Sequence, residues 1–493
     1  MQSDESSART ACRAASGTPA RYCRPYFEYI MICKCDALCK TLRNATMAAI
    51  SLGLLLVLPG CGGESRPPHI FVISIDTLRA DALVPYGETS VETPTASALA
   101  ADGILFTRAV TPMGITIPVH ATMLTGLMPR HHGVRANVHR LAEDVPAIVE
   151  KLDAIGYNSA SILSLGAMNF IAGLDRGFDF ASDRAEDGRE FKRDDAETLD
   201  MALDWIGEQD GDTPLFMLLH FYDVHSPHLP TDYTPPMPDG YDGPLVDGIS
   251  VETLYNESQD LLAGRPDELA ALRALFVGEA AEADRRAGRF IEALRDQGLL
   301  ENSVVIYLAD HGQGLGENDY FGHGPTLEQT VLQVPIIIRD FRRPGEARQV
   351  TETVGLIDVA PTVLGLAGLD ADSLPGRNLL ALGETETPSV YISEVEQRSS
   401  QTEFRPEHFD DEALAAFFDN YKYVESDGQQ RLYRIDETWG QDIQPIELDE
   451  LHESLRIWLA DLMQDYREGN TSSERAELDD EAIEQLRSLG YIQ

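Results

Sequence analysis

Residues 303–312 read SVVIYLADHG, an apolar run that ends in a carboxylate and an imidazole. Near-continuous apolar runs of this length are typical of strands buried on both faces of a parallel sheet. Asp310 and His311 follow the run, and open α/β sheets bind ligands beyond the carboxyl ends of such strands. The stretch therefore predicts a buried strand that delivers two polar side chains to a functional site.

The same pattern occurs twice more along the chain. Residues 69–75 (HIFVISI) lead directly to Asp76, and residues 215–221 (LFMLLHF) are closely followed by Asp223 and His225. One Asp after one strand is a common turn residue, but three strands that deliver Asp or His to one edge indicate a shared site. Amphipathic helices are predicted between the strands, at 93–102, 144–155 and 266–298. This alternation favours an α/β sandwich with a large, mainly parallel sheet flanked by helices.

The chain is strongly acidic, with 82 Asp and Glu against 39 Lys and Arg and a formal net charge of −43. Such a surface repels nucleic acid at long range, so we expect no nucleic-acid partner. The six cysteines all lie at or before Cys61. No residue after Cys61 can therefore form a disulfide or supply a thiolate ligand.

The front of the chain has the features of an export signal. Residues 48–58 (AAISLGLLLVL) are too short to span a bilayer but fit the apolar core of a signal peptide. The following LPGC at 58–61 resembles a bacterial lipobox, which predicts a lipid anchor on Cys61 and a periplasmic or cell-surface location. An ordinary cleaved signal or an uncleaved anchor is the alternative. Met31 or Met47 as the start would leave a conventional signal peptide.

Four segments are predicted on this basis: a leader at 1–60, a tether at 61–66, a catalytic domain at 67–385 and a C-terminal subdomain at 386–493. Within the catalytic domain, the Pro-, Gly- and Asp-rich residues 229–265 suit a loop over the mouth of the site. The last segment combines short β-rich runs with an acidic helical stretch. A small α+β subdomain is therefore expected at the C-terminus.

Several short motifs follow one another across residues 67–493. In chain order they are DTLRAD at 76–81, TIPVHATMLTG at 116–126, RHHGV at 130–134, HSPH at 225–228, DHG at 310–312, GE at 316–317, GHG at 322–324, LYRID at 432–436 and LRSLGY at 486–491. Together they resemble the sulfatase family of the alkaline phosphatase superfamily, in order and at family-like spacing. The resemblance implies an alkaline-phosphatase-like sandwich and a metal-dependent hydrolase of anionic esters.

By this resemblance, Asp76, Asp310 and His311 bind a divalent metal, and Thr116 presents its side-chain oxygen to it. Carboxylate and imidazole ligands suit Ca, Zn or Mn, as one ion or two. Metal coordination lowers the pKa of a hydroxyl and makes it a nucleophile near neutral pH. The predicted helix 118–126 would direct its N-terminus toward a bound oxyanion. The alternative for Thr116 is a plain helix cap.

Two histidines are further catalytic candidates. His225 is expected to bind a substrate oxygen or to protonate the leaving group. His323 lies where family members place a cation that binds the transferred anion, and it is equally a candidate for a second metal together with His225.

Three residues are candidates for substrate binding. Asn137 lies 21 residues after Thr116, a spacing at which related phosphonate and phosphate hydrolases place a substrate-contacting Asn. Arg79 either binds the anion or braces the Asp76 loop through a salt bridge. His120 either supports Thr116 or replaces the arginine of the family signature.

Position 116 departs from the sulfatase signature, in which a Cys or Ser is converted to formylglycine. A threonine does not yield that aldehyde, so no formylglycine is expected. Thr at this position resembles the phosphodiesterases, nucleotide pyrophosphatases and phospho-headgroup transferases of the superfamily. The leading hypothesis is a hydrolase or transferase of phosphate-type esters on small-molecule, glycan or lipid-headgroup substrates. The alternatives are a sulfate ester hydrolase that works without formylglycine and an inactive, lipid-tethered anion-binding protein.

Overall fold

The computed structural model describes residues 66–475 except for 166, 183–191, 325, 346, 383–388, 396–411, 427, 436–444, 449–450, 452 and 470–473. The predicted leader, Cys61 and the LRSLGY motif lie outside the described residues. Within them, no helix combines the length and the apolar character needed to cross a membrane.

The strands are, in chain order, β1 (His69–Ile75), β2 (Ile104–Val110), β3 (His139–Arg140), β4 (Asn158–Leu163), β5 (Phe180–Ser182), β6 (Leu215–Phe221), β7 (Ser303–Ala309), β8 (Gly314–Leu315), β9 (Phe321–Gly322), β10 (Gln333–Asp340), β11 (Arg348–Val350), β12 (Val354–Gly355), β13 (Tyr391–Val395), β14 (Ala413–Phe418), β15 (Tyr421–Ser426), β16 (Gln429–Arg434), β17 (Pro445–Ile446) and β18 (Glu474–Arg475).

The α-helices are α1 (Pro94–Asp102), α2 (Thr116–Thr125), α3 (Pro129–His132), α4 (Ile148–Asp153), α5 (Ala167–Phe170), α6 (Asp195–Gly207), α7 (Val251–Asn256), α8 (Ser258–Leu261), α9 (Pro266–Asp296), α10 (Gln329–Leu332), α11 (Val359–Leu366) and α12 (Glu453–Glu468).

A large mixed sheet forms the centre of the fold, in the order β11-β2-β10-β7-β1-β6-β4-β5, with β12 also paired to β2. Strands β7, β1, β6, β4 and β5 run parallel to one another. Strand β10 is antiparallel to both of its neighbours. Every residue of β1, β6 and β7 is buried, as the apolar runs predict. The predicted α/β sandwich with a mainly parallel sheet is confirmed.

A second, antiparallel sheet follows at the C-terminal end, in the order β13-β14-β15-β16-β17. Its inner face packs with α12 through a separate apolar core that includes Leu459, Met463 and Tyr466 of the helix. This arrangement confirms the small C-terminal α+β subdomain.

Candidate active site

Adjacent strands bring the predicted ligands together. β1 lies between β6 and β7, with Ile75 in register with both Phe221 and Ala309. Asp76 and Asp310 are the next residues along β1 and β7, so the register places them side by side. Both carboxylates are fully buried. The structure thus brings Asp76 and Asp310 together at the carboxyl edge of the sheet, where such folds bind ligands.

The backbone fixes the direction in which Asp310 offers its charge. Its Oδ1 accepts hydrogen bonds from the backbone N–H of Thr77 (3.2 Å) and of His311 (2.7 Å). Its Oδ2 is buried and has no hydrogen-bond partner among the described residues. This second oxygen lies 3.6 Å from Nε2 of His311. One oxygen thus anchors the carboxylate, and the other faces the neighbouring ligands.

His311 is oriented in the same direction. Its Nδ1 lies 3.1 Å from the carbonyl oxygen of Gly312, where an Nδ1–H donates a hydrogen bond. That tautomer leaves a lone pair on Nε2, which lies 3.9 Å from Oδ1 of Asp76. The ligand atoms of Asp76, Asp310 and His311 all lie within 4.8 Å of one another. Negative oxygens and a nitrogen lone pair that converge in a buried space fit a divalent cation, so these residues are suited to hold the predicted metal.

Thr116 lies beside this ligand group. Its Oγ1 is 3.2 Å from Nε2 of His311, and the side chain is fully buried. Helix α2 begins at Thr116 itself, two residues earlier than predicted, and the residue preceding it is Ile115. Because Thr116 is the first helical residue and its hydroxyl faces His311, the alternative of a plain helix cap does not describe this side chain.

Asn137 supports the start of α2. Its Oδ1 accepts a hydrogen bond from the backbone N–H of Ile117 at 3.1 Å, and the residue is buried. The amide group therefore lies within one residue of Thr116, in the region where the sequence places a substrate contact. Its role in binding substrate stays a prediction.

His120 contacts the backbone of Thr116. Its Nδ1 lies 2.9 Å from the carbonyl oxygen of Thr116, and its Nε2 lies 3.1 Å from Oγ of Ser74. The ring is fully buried and packs edge-on against His220, with centroids 5.0 Å apart. Since both nitrogens are engaged, the contacts favour the predicted alternative that His120 supports Thr116 over that of a substrate contact.

His225 and His323 form a close, buried pair beside His311. Their Nε2 atoms lie 2.9 Å apart, while each Nδ1 faces a backbone carbonyl, of Ser226 (2.8 Å) and of Gly114 (3.1 Å). Nδ1–H donation to both carbonyls would leave two Nε2 lone pairs face to face. A shared proton or a second cation resolves that repulsion. Burial lowers the pKa of His225 to about 3, which favours the neutral ring.

Arg79 is held by carboxylates on both sides. Its guanidinium pairs with Asp81 at 2.6 Å and with Glu317 at 2.9 Å, and it donates to the carbonyl oxygen of Gln313. Burial opposes the charged form, but Asp81 and Glu317 raise the pKa of Arg79 above its ordinary value. These contacts tie the Asp76 loop to the loop after β7, which favours the predicted alternative that Arg79 braces this loop over that of an anion binder.

Sequence reasoning missed the network that holds the turn before His225. Asp195 at the start of α6 accepts hydrogen bonds from the backbone N–H of Tyr222 (2.9 Å) and of Asp223 (2.7 Å). Arg286 of α9 pairs with both Asp195 and Asp223. Burial and the neighbouring Asp223 raise the pKa of Asp195 to about 7. No motif could reveal this network, because its members come from distant parts of the sequence.

Tyr255 was missed as well. It lies on α7, within the segment 229–265 that was predicted to be a loop over the site. Its hydroxyl is 3.4 Å from the backbone N–H of His323, and the two rings lie edge to face at 6.0 Å. The segment 229–265 thus contacts His323 directly.

Close backbone packing explains why the third residue of the DHG motif, Gly312, is a glycine. A Cβ at this position would lie 2.1 Å from the carbonyl oxygen of Thr330. The backbone N–H of Gly312 donates to the carbonyl oxygen of Val331 at 2.7 Å, which holds the two segments together. The close approach fixes the loop that carries Asp310 and His311.

We expect Gly312→Ala to lower the free energy of unfolding by about 2 kcal/mol, because the extra methyl forces the backbone of residues 310–312 away from that of Thr330. The catalytic rate should fall even under conditions in which the variant is fully folded, since Asp310 and His311 move with the loop. Urea unfolding and initial rates measure the two effects. Gly207→Ala is the control, because its Cβ would make only a 3.5 Å contact with Gln297. Full activity in Gly312→Ala would contradict the proposed rigidity of this loop.

Comparison with known proteins agrees with the geometry. The Sulfatase family model matches residues 68–369. An arylsulfatase from Clostridium perfringens is 24% identical over 379 residues, which cover 64% of this chain and 78% of the relative.

Solved structures show the same fold. One, in complex with its substrate D-glucosamine-2-N,6-O-disulfate, has a TM-score of 0.65 and 17% identity and covers 82% of this chain and 98% of its own. The phosphonate monoester hydrolase of Agrobacterium radiobacter has a TM-score of 0.64 and 22% identity and covers 84% and 99%. With the family model matching more than half of its length, the chain belongs to the sulfatase family of the alkaline phosphatase superfamily and is an ester hydrolase of that family.

Proposed function

We propose that this sulfatase-family hydrolase acts on phosphate-type esters, with Oγ1 of Thr116 as the nucleophile. The observation that carries the proposal is the position of that oxygen, 3.2 Å from Nε2 of His311, in contact with the predicted metal ligands. Threonine cannot become formylglycine, so its own hydroxyl must act. Phosphate-type esters are substrates that an alkoxide attacks directly.

The surrounding residues support this chemistry. A divalent cation, when bound, supplies positive charge that lowers the pKa of a neighbouring hydroxyl and stabilises negative charge on the ester. Asp76, Asp310 and His311 are the residues that would hold it.

His225 and His323 complete the proposed site. The pair is neutral at rest, and the negative charge of a bound ester would favour uptake of a proton between the two Nε2 atoms, which lie 2.9 Å apart, for delivery to the oxygen of the leaving group. The carbonyls of Ser226 and Gly114 orient the two rings for this role.

Sulfate ester hydrolysis without formylglycine is the second candidate. It is favoured by the curated relative, named an arylsulfatase, and by the neighbour solved with a disulfated glucosamine. The phosphonate monoester hydrolase neighbour supports the first candidate. The fold is common to both groups, so the nucleophile at position 116 decides our preference.

The test compares turnover of bis-para-nitrophenyl phosphate, a para-nitrophenyl phosphonate and para-nitrophenyl sulfate by residues 62–493, with Zn, Mn or Ca supplied in turn. We expect kcat/KM for the best phosphorus ester to exceed that for the sulfate by at least about a hundredfold, or roughly 2.7 kcal/mol of transition-state stabilisation. Preference for the sulfate would overturn the proposal in favour of the second candidate.

A further inference from the structure

Lys192 is placed at the edge of the sheet that carries the site. Its backbone forms an antiparallel bridge with Leu165, just after the end of β4, and β4 is the neighbour of β6. The adjacent residue, Arg193, is buried and anchors this position. The backbone N–H of Arg193 donates to the carbonyl of Ser164 at 2.8 Å, and its guanidinium donates to backbone carbonyls at Leu163 and Ser182.

The ammonium of Lys192 lies over the ring of Tyr222, which in turn packs against the ring of His225. Its Nζ lies 3.9 Å from the centre of the Tyr222 ring, and that ring lies 4.6 Å from the ring of His225. Tyr222 is fully buried, and its hydroxyl donates to the carbonyl of Ser226. Lys192 therefore lies one aromatic ring away from the proposed proton donor.

Lys192 differs from Arg79 and Arg286 in its ion pairing. Arg79 pairs with Asp81 and Glu317. Arg286 pairs with three carboxylates, those of Asp195, Asp223 and Glu282. Within the described part of the chain, Lys192 has no carboxylate within ion-pair distance; its recorded contact is the Tyr222 ring. In a protein with a net charge of −43, a half-buried cation of this kind is suited to an anion from solution.

We propose that Lys192 forms an anion subsite on the leaving-group side of the active site, and that the preferred substrates are esters whose leaving group carries a second negative charge. This inference rests on the proposed function, because it assigns His225 to the leaving group. A carboxylate, sulfate or phosphate on the leaving group would each fit the chemistry of a single ammonium. Lys192 thereby determines which esters are selected, while Thr116 and its neighbours cleave them.

The test uses two phosphate-type nitrophenyl esters that differ by one carboxylate on the nitrophenyl ring. In the wild-type protein, kcat/KM for the carboxylated ester should exceed that for the plain ester by about tenfold, as expected for one partly buried ion pair. Lys192→Met should abolish this preference and leave turnover of the plain ester within about twofold. Lys192→Arg should retain most of the preference, and Lys151→Met, at an exposed lysine of α4, should change nothing.

Two kinetic outcomes would overturn the subsite. One is an equal loss on both esters in Lys192→Met, which would make Lys192 a support for His225. The other is an unchanged preference in that variant, which would place the anion elsewhere.

A binding measurement separates this inference from the proposed function. Non-hydrolysable aryl phosphonates, with and without the ring carboxylate, are titrated calorimetrically into the metal-loaded wild type and Lys192→Met. A carboxylate-dependent gain in affinity that disappears in the variant supports the subsite even if neither ester is turned over. Absence of that gain in the wild type overturns the subsite even if both esters are hydrolysed.

Discussion

Thr116→Ala is expected to lower kcat for the best phosphorus ester by at least about a thousandfold while leaving the protein folded. The substitution removes the one oxygen that lies 3.2 Å from Nε2 of His311 and changes no other predicted ligand. Alanine is a better helix former than threonine, so α2 should not be weakened. Initial rates at saturating substrate, together with circular dichroism and thermal unfolding, measure both parts of this expectation.

Thr116→Ser separates a chemical role from a structural one. Serine keeps the hydroxyl, so we expect activity within about tenfold of the wild type. Thr125→Ala is the matched control on the same helix, because the hydroxyl of Thr125 donates to the carbonyl of Ala121, away from the metal ligands. A phosphorylated Thr116 in peptides from acid-quenched reactions would identify the covalent intermediate. Equal activity of Thr116→Ala and the wild type would exclude Thr116 as the nucleophile.

The strands of the site could be predicted from sequence because burial on both faces leaves a continuous apolar run. The predicted limits of β1 and β6 are those of the structure, and β7 extends one residue beyond the apolar run 303–308. Helix α4 shows the opposite case: the prediction covers 144–155, whereas the helix is Ile148–Asp153. Pro146 contributes to the late start, since a proline disfavours helical backbone geometry at the residue before it, here Val145.

The roles of His120 and Arg79 could not be fixed from sequence, because each depends on contacts made by distant segments. His120 is directed to Ser74, 46 residues away, and Arg79 to Glu317, 238 residues away. Lys192 and Asp195 belong to none of the sequence motifs. The residues that do carry motifs, Asp310 and His311 among them, are those that follow a buried strand directly.

Removal of the metal is the second change for which we expect a large effect, because two buried carboxylates and an imidazole lone pair then face one another with no cation between them. A chelator should abolish turnover, and restoring one divalent ion should recover it. The metal should also raise the thermal stability of the protein. A ligand at a hundred times its Kd stabilises the folded state by about 2.7 kcal/mol, which differential scanning calorimetry detects.

Asp310→Asn tests whether the residues assigned here account for that stabilisation. Asn keeps an oxygen for the backbone N–H groups of Thr77 and His311 but removes the negative charge beside Asp76. Without metal, the variant should therefore be at least as stable as the wild type, since a buried like-charge pair is relieved. With metal, its stabilisation and its activity should be lost. Asp284→Asn, a buried Asp that accepts from the backbone of Thr95 and Ala96, should keep the stabilisation by metal. If Asp310→Asn were stabilised by metal as strongly as the wild type, the metal would bind elsewhere, and the arrangement of Asp76, Asp310 and His311 would need another explanation.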